Sequence, residues 1–136
     1  MQFDHEKLDV YQLELRFVTW LTPLLAEVGQ LGGLRLAEVC DQLERASLSA
    51  LLNTAEGNGK RQRPGRAKAF DDVRGSATEC AACLDALVAK GACTVGRIAE
   101  GKELLLRIVS ILSKLVAKFE TNLKVGGGFP QAPSAR

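Results

Sequence analysis

Apolar residues recur every three or four positions along most of this chain, and only glycine-, proline- or charge-rich stretches interrupt them. That spacing lines one stripe of a helix, whereas a strand needs strict alternation, and no alternating stretch competes. The first such segment, residues 4–29, carries Val10, Leu13, Phe17, Trp20 and Leu24, with Tyr11, Val18, Leu21, Leu25 and Val28 widening the stripe. So wide a face implies burial on two sides. Pro23 lies inside it and is expected to kink or divide the helix, because it lacks an N–H and its ring crowds the preceding turn. The glycines of "GQLGGLR" predict a turn near 29–33.

The second segment, 34–56, places Leu36, Val39, Leu43, Ala46 and Ala50 on one face, extended by Leu48, Leu51, Leu52 and Ala55. Gly57 is expected to end it in the left-handed conformation. The third, 65–90, follows Pro64, which suits a first helical turn. Phe70, Val73, Ala77, Cys80 and Leu84 form its stripe. A glycine inside a helix costs about 1 kcal/mol relative to alanine, so Gly75, beside Ser76, predicts a close helix crossing. The fourth, 94–123, begins at a capping Thr94 and runs through Ile98, Leu104, Leu105, Ile108, Leu112, Leu115 and Phe119. Residues 126–136 are glycine- and proline-rich and read as a flexible tail.

Four helices with short connections predict an all-α, up-down antiparallel four-helix bundle over residues 1–125. Aromatic residues make up only 5% against 46% hydrophobic overall, so the core is aliphatic and alanine-rich. No stretch approaches the roughly 18 uninterrupted apolar residues of a membrane span, and "MQFDHEKLDV" is too polar for a leader. A cytoplasmic protein is expected, with its four cysteines reduced and no membrane partner.

Charge is unevenly divided. Residues 1–59 hold nine acids and four bases, a balance of −5, and residues 60–136 hold seven acids and fourteen bases, a balance of +7. The basic excess is densest where the second segment gives way to the third: Lys60, Arg61, Arg63, Arg66 and Lys68, with Arg74 further along. Guanidinium groups pair bidentately with phosphate, and the start of the third helix would add a positive dipole end. These six residues are the candidate nucleic-acid contacts. A solvated turn, or charges that bridge subunits, would use the same residues. Phe70, the aromatic nearest in sequence, belongs to the core stripe, so any binding is expected to be phosphate-led and salt-sensitive.

Other chemistry is thinner. Cys80 and Cys83 form a C-x-x-C pair, but inside a helix and with no histidine nearby, so they read as small core residues. The single histidine, His5, sits near the terminus, which disfavours a serine hydrolase. No catalytic residue, metal or cofactor is expected.

"QLERASLSALLNTAEGNGK", Gln42 to Lys60, resembles the signature Gln-Leu/Ile-x-Arg-Ala-x-x-Ser-Ile-x-x-Asn-Ile-Ala-Glu-Gly-x-Gly-Arg of the bacterial four-helix-bundle proteins, also called 23S rRNA intervening-sequence proteins. "FDDVRGSATECAACLD", Phe70 to Asp85, is similar to that family's Phe-x-x-x-Ala-Arg-Gly-Ser-x-x-Glu stretch, with one residue fewer between Phe70 and Val73. Departures are few: Thr54 stands where isoleucine is usual, Lys60 where arginine is, and Val73 where alanine is. The polar and small residues singled out in these stretches are Arg45, Ser47, Asn53, Glu56, Gly57, Gly75 and Ser76. Asn53 and Glu56 are expected to fasten the end of the second helix to the third, with Arg45 or Arg74 as partners.

The resemblance implies ring-like homo-oligomers, commonly pentamers, and no enzyme activity. It also implies a link to accessory variability proteins of diversity-generating retroelements, which act with a reverse transcriptase and RNA. The function expected is therefore a non-enzymatic oligomeric bundle that binds RNA or a ribonucleoprotein partner through its basic turn. The alternative is a protein-interaction scaffold with no nucleic-acid role.

Overall fold

The computed structural model describes residues 1–32, 35–60 and 62–126, with side chains through residue 120. Arg61, the end of the expected turn at residue 33, the start of the second segment at residue 34, and the tail from 127 lie outside the described residues. A short 3-10 helix, Asp4–Lys7, precedes α1 (Asp9–Gly29), α2 (Ala37–Asn58), α3 (Arg63–Ala89) and α4 (Val95–Gly126). The expected first helix is thus broken at its start. Leu8 is extended, with ψ 129°, and separates the 3-10 turn from α1.

The apolar stripes meet in one core. Phe70, Leu24, Leu43, Leu84, Leu87, Ile108 and Leu112 are its largest fully buried side chains and come from all four helices. α1 packs on α2 and α4, and α3 packs on the same two, which gives a four-helix bundle. Contacts within each neighbouring pair run in opposite sequence directions. Glu14 meets Thr54 while Asp4 meets Asn58, and Gln42 meets Glu79 while Gly57 meets Ala69. Asp85 meets Lys102 while Arg74 meets Ser113, and Glu27 meets Arg97 while Gly101 meets Trp20. Neighbours are therefore antiparallel.

Helix ends follow local chemistry. Thr94 Oγ1 accepts from the Arg97 N–H at 3.1 Å and caps α4. At the end of α3, Gly91 takes φ +80°, and the N–H groups of Gly91 and Ala92 reach the carbonyls of Val88 and Leu87 at 2.9 Å. That left-handed glycine satisfies two terminal carbonyls. Gly57 behaves otherwise than expected: α2 continues through it to Asn58, and among the described glycines only Gly91 has positive φ. Its role is steric. A Cβ on Gly57 would lie 2.7 Å from the Ala69 Cβ, so the missing methyl sets the approach of α2 to α3.

Pro23 does not divide α1. It lies exposed within the helix, on the solvent side where a lost backbone hydrogen bond is replaced by water. Gly75 is likewise exposed, with no atom within 4 Å of where a Cβ would sit, so it allows no close crossing inside the bundle. Besides Gly57, the inward glycine is Gly101, where a Cβ would fall 2.2 Å from the Trp20 indole, so the missing methyl seats that ring of α1 on α4. Leu48 and Leu52 also leave the core expected for them, at 49% and 59% exposure. Gly126 remains helical instead of opening the tail.

Candidate nucleic-acid interface

The turn from α2 to α3 spans only residues 59–62, so the basic residues lie mostly on the first turns of α3. Pro64 sits in the first turn, where its missing N–H has no intrahelical partner to lose. Arg63 and Arg66, three residues apart, project from one face toward the far end of α4. Their guanidinium carbons lie 5.6 and 4.9 Å from the centre of the Phe119 ring. Phe119 in turn stacks on Phe70, with centroids 5.9 Å apart. Lys118 brings a third cation to 6.0 Å from the same ring. Arg66 Nη2 donates to Asn58 Oδ1 at 3.2 Å, and Asn58 Nδ2 donates to Asp4 Oδ2 at 2.9 Å. One end of the bundle is thereby tied together from the 3-10 helix through α2 and α3 to α4.

The remaining expected cations divide from this pair. Lys60 lies 3.8 Å from Glu56, and Lys68 lies 3.2 Å from Asp72, both one turn apart and exposed. Arg74 pairs with Asp71 and donates through Nη1 to Ser113 Oγ at 3.3 Å. Among the described residues, Arg63 and Arg66 form no ion pair with a carboxylate. The exposed one-turn pairs contribute only about 0.3–0.5 kcal/mol each, so a phosphate can displace them. Across residues 56–74 six cations oppose three acids, which leaves the segment positive.

The helix dipole adds less than the sequence suggests. The C-terminus of α2 ends beside the N-terminus of α3, and its negative end offsets the positive one. Side-chain charge carries the local field.

Asn53, Glu56, Lys60, Lys68 and Asp72, with Gly57 behind them, line a polar groove of about 270 Å³ between α2 and α3. Its two ammonium groups and two carboxylates nearly cancel. Neither Arg45 nor Arg74 reaches Asn53 or Glu56. Asn53 Nδ2 donates to Ser49 Oγ at 3.0 Å, and Arg45 Nη2 reaches Gln42 Oε1 at 3.4 Å. Both are bonds within α2, because these side chains run along its surface and do not cross to α3. Ser47 is buried and donates to the Glu44 carbonyl at 2.9 Å. Ser76 is half-buried on α3.

Sequence order hid Phe119 from the basic turn. It stands about fifty residues away on α4, and only the antiparallel return of that helix brings it beneath the arginines. Burial pushes the Cys80 thiol up to about 12 and raises Cys40, Cys83 and Cys93 as well, so none is a ready thiolate. Among the described residues no group of three His, Cys, Asp or Glu is placed to hold a metal. No described helix is long and apolar enough to cross a membrane.

The ring order also separates the charge. The acidic half of the sequence supplies α1 and α2, the basic half supplies α3 and α4, and each pair occupies one side of the bundle. Compared with known proteins, residues 6–114 match the family described as 23S rRNA-intervening sequence protein. No curated protein and no solved structure matches the chain.

Proposed function

This chain belongs to the 23S rRNA-intervening sequence protein family, and from that premise we propose a non-enzymatic, self-associating bundle that holds an RNA phosphate backbone through Arg63 and Arg66. The observation that carries this reading is the pair of guanidinium groups gathered on Phe119 with no carboxylate partner among the described residues. Stacking against an aromatic ring orients each planar fork. Arg66 already gives Nη2 to Asn58 and its Nε is buried, so the exposed Arg63 offers the freer donors to a phosphate. Lys60, Arg61, Lys68 and Arg74 supply the surrounding charge, and Lys118 extends it onto α4. Recognition is phosphate-led, because Phe119 is only 7% exposed and cannot receive a base.

Self-association raises the effect of two arginines per subunit. A ring, with five copies as the resemblance implies, would bring several such ends to one rim, and tethered copies bind far more tightly than one. The RNA would be free or part of a ribonucleoprotein, including one with a reverse transcriptase. Four free thiols suit the reducing cytoplasm proposed for it.

One observation favours a protein-interaction scaffold instead. An apolar groove of about 420 Å³ between α3 and α4 is lined by Ala77, Ala81, Leu105, Leu106 and Val109, and Leu106 is 68% exposed. Replacing Arg63 and Arg66 together by alanine separates the readings. RNA binding lost at unchanged oligomeric mass supports the grip. Mass lost with the arginines shows that they bridge subunits, and the RNA reading then fails.

A further inference from the structure

Among the described residues, the buried polar side chains are Glu14, Ser47 and Thr54. Glu14 is the one carboxyl group among them and is 3% exposed. It falls on the inner stripe of α1, between Leu13 and Phe17, and so must face the other helices. Thr54 Oγ1 donates to Glu14 Oε2 at 2.7 Å. Oε1 has no hydrogen-bond partner among the described residues. Beside it lies a cavity of about 10 Å³, at the lower limit for one water, and all four helices contribute to its wall.

The groups facing Glu14 are few. From α2 come Ser47, Ala50 and Thr54, from α3 Ala77 and Cys80, and from α4 Leu105 and Ile108, with Phe17 on α1 itself. None is a base. Among the described residues lining the cavity, the only other titratable group is the Cys80 thiol, which burial keeps neutral to about 12. A carboxylate here would be stripped of water with a single hydroxyl donor in return, whereas a neutral acid fits at much lower cost.

We propose that Glu14 is a buried proton-binding site that sets how firmly α1 is seated: protonated it completes the bundle centre, and ionised it loosens α1 from the other helices. The carboxyl is carried by α1, whose contacts with α2 and α4 are less extensive than those α3 makes with the same neighbours. The helix that bears the charge is therefore the one least held elsewhere. Thr54 tunes the site, because its hydroxyl stabilises the ionised form. The isoleucine usual at that position of the matched signature could offer no such bond.

Burial pushes the Glu14 carboxyl from 4.5 up to about 8, and the Thr54 hydrogen bond offsets part of that rise. Between those two values the folded chain holds a proton that the unfolded chain has released. Stability therefore falls as pH rises through this window, and the loss is complete above the folded value.

Carbon-13 NMR of the full chain labelled at glutamate δ-carbons, followed from about pH 4 to about pH 10, reads the site directly. The Glu14 resonance should titrate near 8, and Thr54→Val should move that midpoint higher. Amide exchange of α1 relative to α3 should rise across the same range in the wild-type chain and stay level in Glu14→Gln. Titration in the ordinary carboxylate range overturns the proposal. So does a high midpoint with the protection of α1 unchanged through it. If Glu14→Gln does not fold, the wild-type titration and the Thr54→Val shift decide the matter.

Discussion

Arg66 shows how one residue gains a role from neighbours that are distant in sequence. Its guanidinium lies over Phe119 and donates to Asn58, which itself holds Asp4. Lysine would keep the charge but lose the planar fork, so Arg66→Lys should weaken RNA binding, measured by fluorescence anisotropy, by roughly two- to tenfold. An undiminished affinity would show that charge alone matters there. Gly101 is a residue of another kind. A methyl there collides with the indole of Trp20, so Gly101→Ala should destabilise the fold by about 1–3 kcal/mol in urea despite alanine's better helix propensity. The sole tryptophan reports that unfolding directly. Glu14 and Gly101 were both legible in principle, since each falls on the inner stripe of its helix. An acid counted as surface charge and a glycine sought off the stripe, at Gly75, conceal them.

At the scale of elements, the helices follow the apolar spacing closely because each stripe has a partner stripe to bury against. Their ends follow less closely. Leu8 breaks the first segment, and α2 runs past Gly57, because tertiary contacts at Asn58 and Ala69 outweigh the local preference of glycine for a helix end. Gly75 on α3 tests whether that helix's outer face is free. In a single bundle it meets nothing within 4 Å, so Gly75→Ala should stabilise by about 0.5–1 kcal/mol in thermal or urea unfolding. A loss of stability accompanied by lower oligomeric mass would place this face at a subunit contact. The groove beside Leu106 lies between α3 and α4 and is open to the corresponding test. Leu106→Glu should lower the oligomeric mass and leave monomer helicity by circular dichroism unchanged.

For the whole molecule, the order of helices turns a charge imbalance along the sequence into two sides of opposite sign. The architecture, the inner faces and the basic character of the α2–α3 turn were legible because periodicity and composition report them locally. The site itself was not. Which cations are neutralised by acids one turn away, and which gather on an aromatic ring from α4, depends on the return of a helix some fifty residues later. A grip of that kind on a self-associating bundle ought to be multivalent, steered by charge and sensitive to salt.

The most direct test is light scattering of the purified chain, alone and with a mixed-length RNA pool, at about 50 mM and about 200 mM salt. The expected result is a defined oligomer that gains RNA mass at the lower salt, with affinity falling roughly tenfold or more at the higher. A defined oligomer that takes up no RNA at either salt would contradict the grip and leave the bundle a protein-binding scaffold.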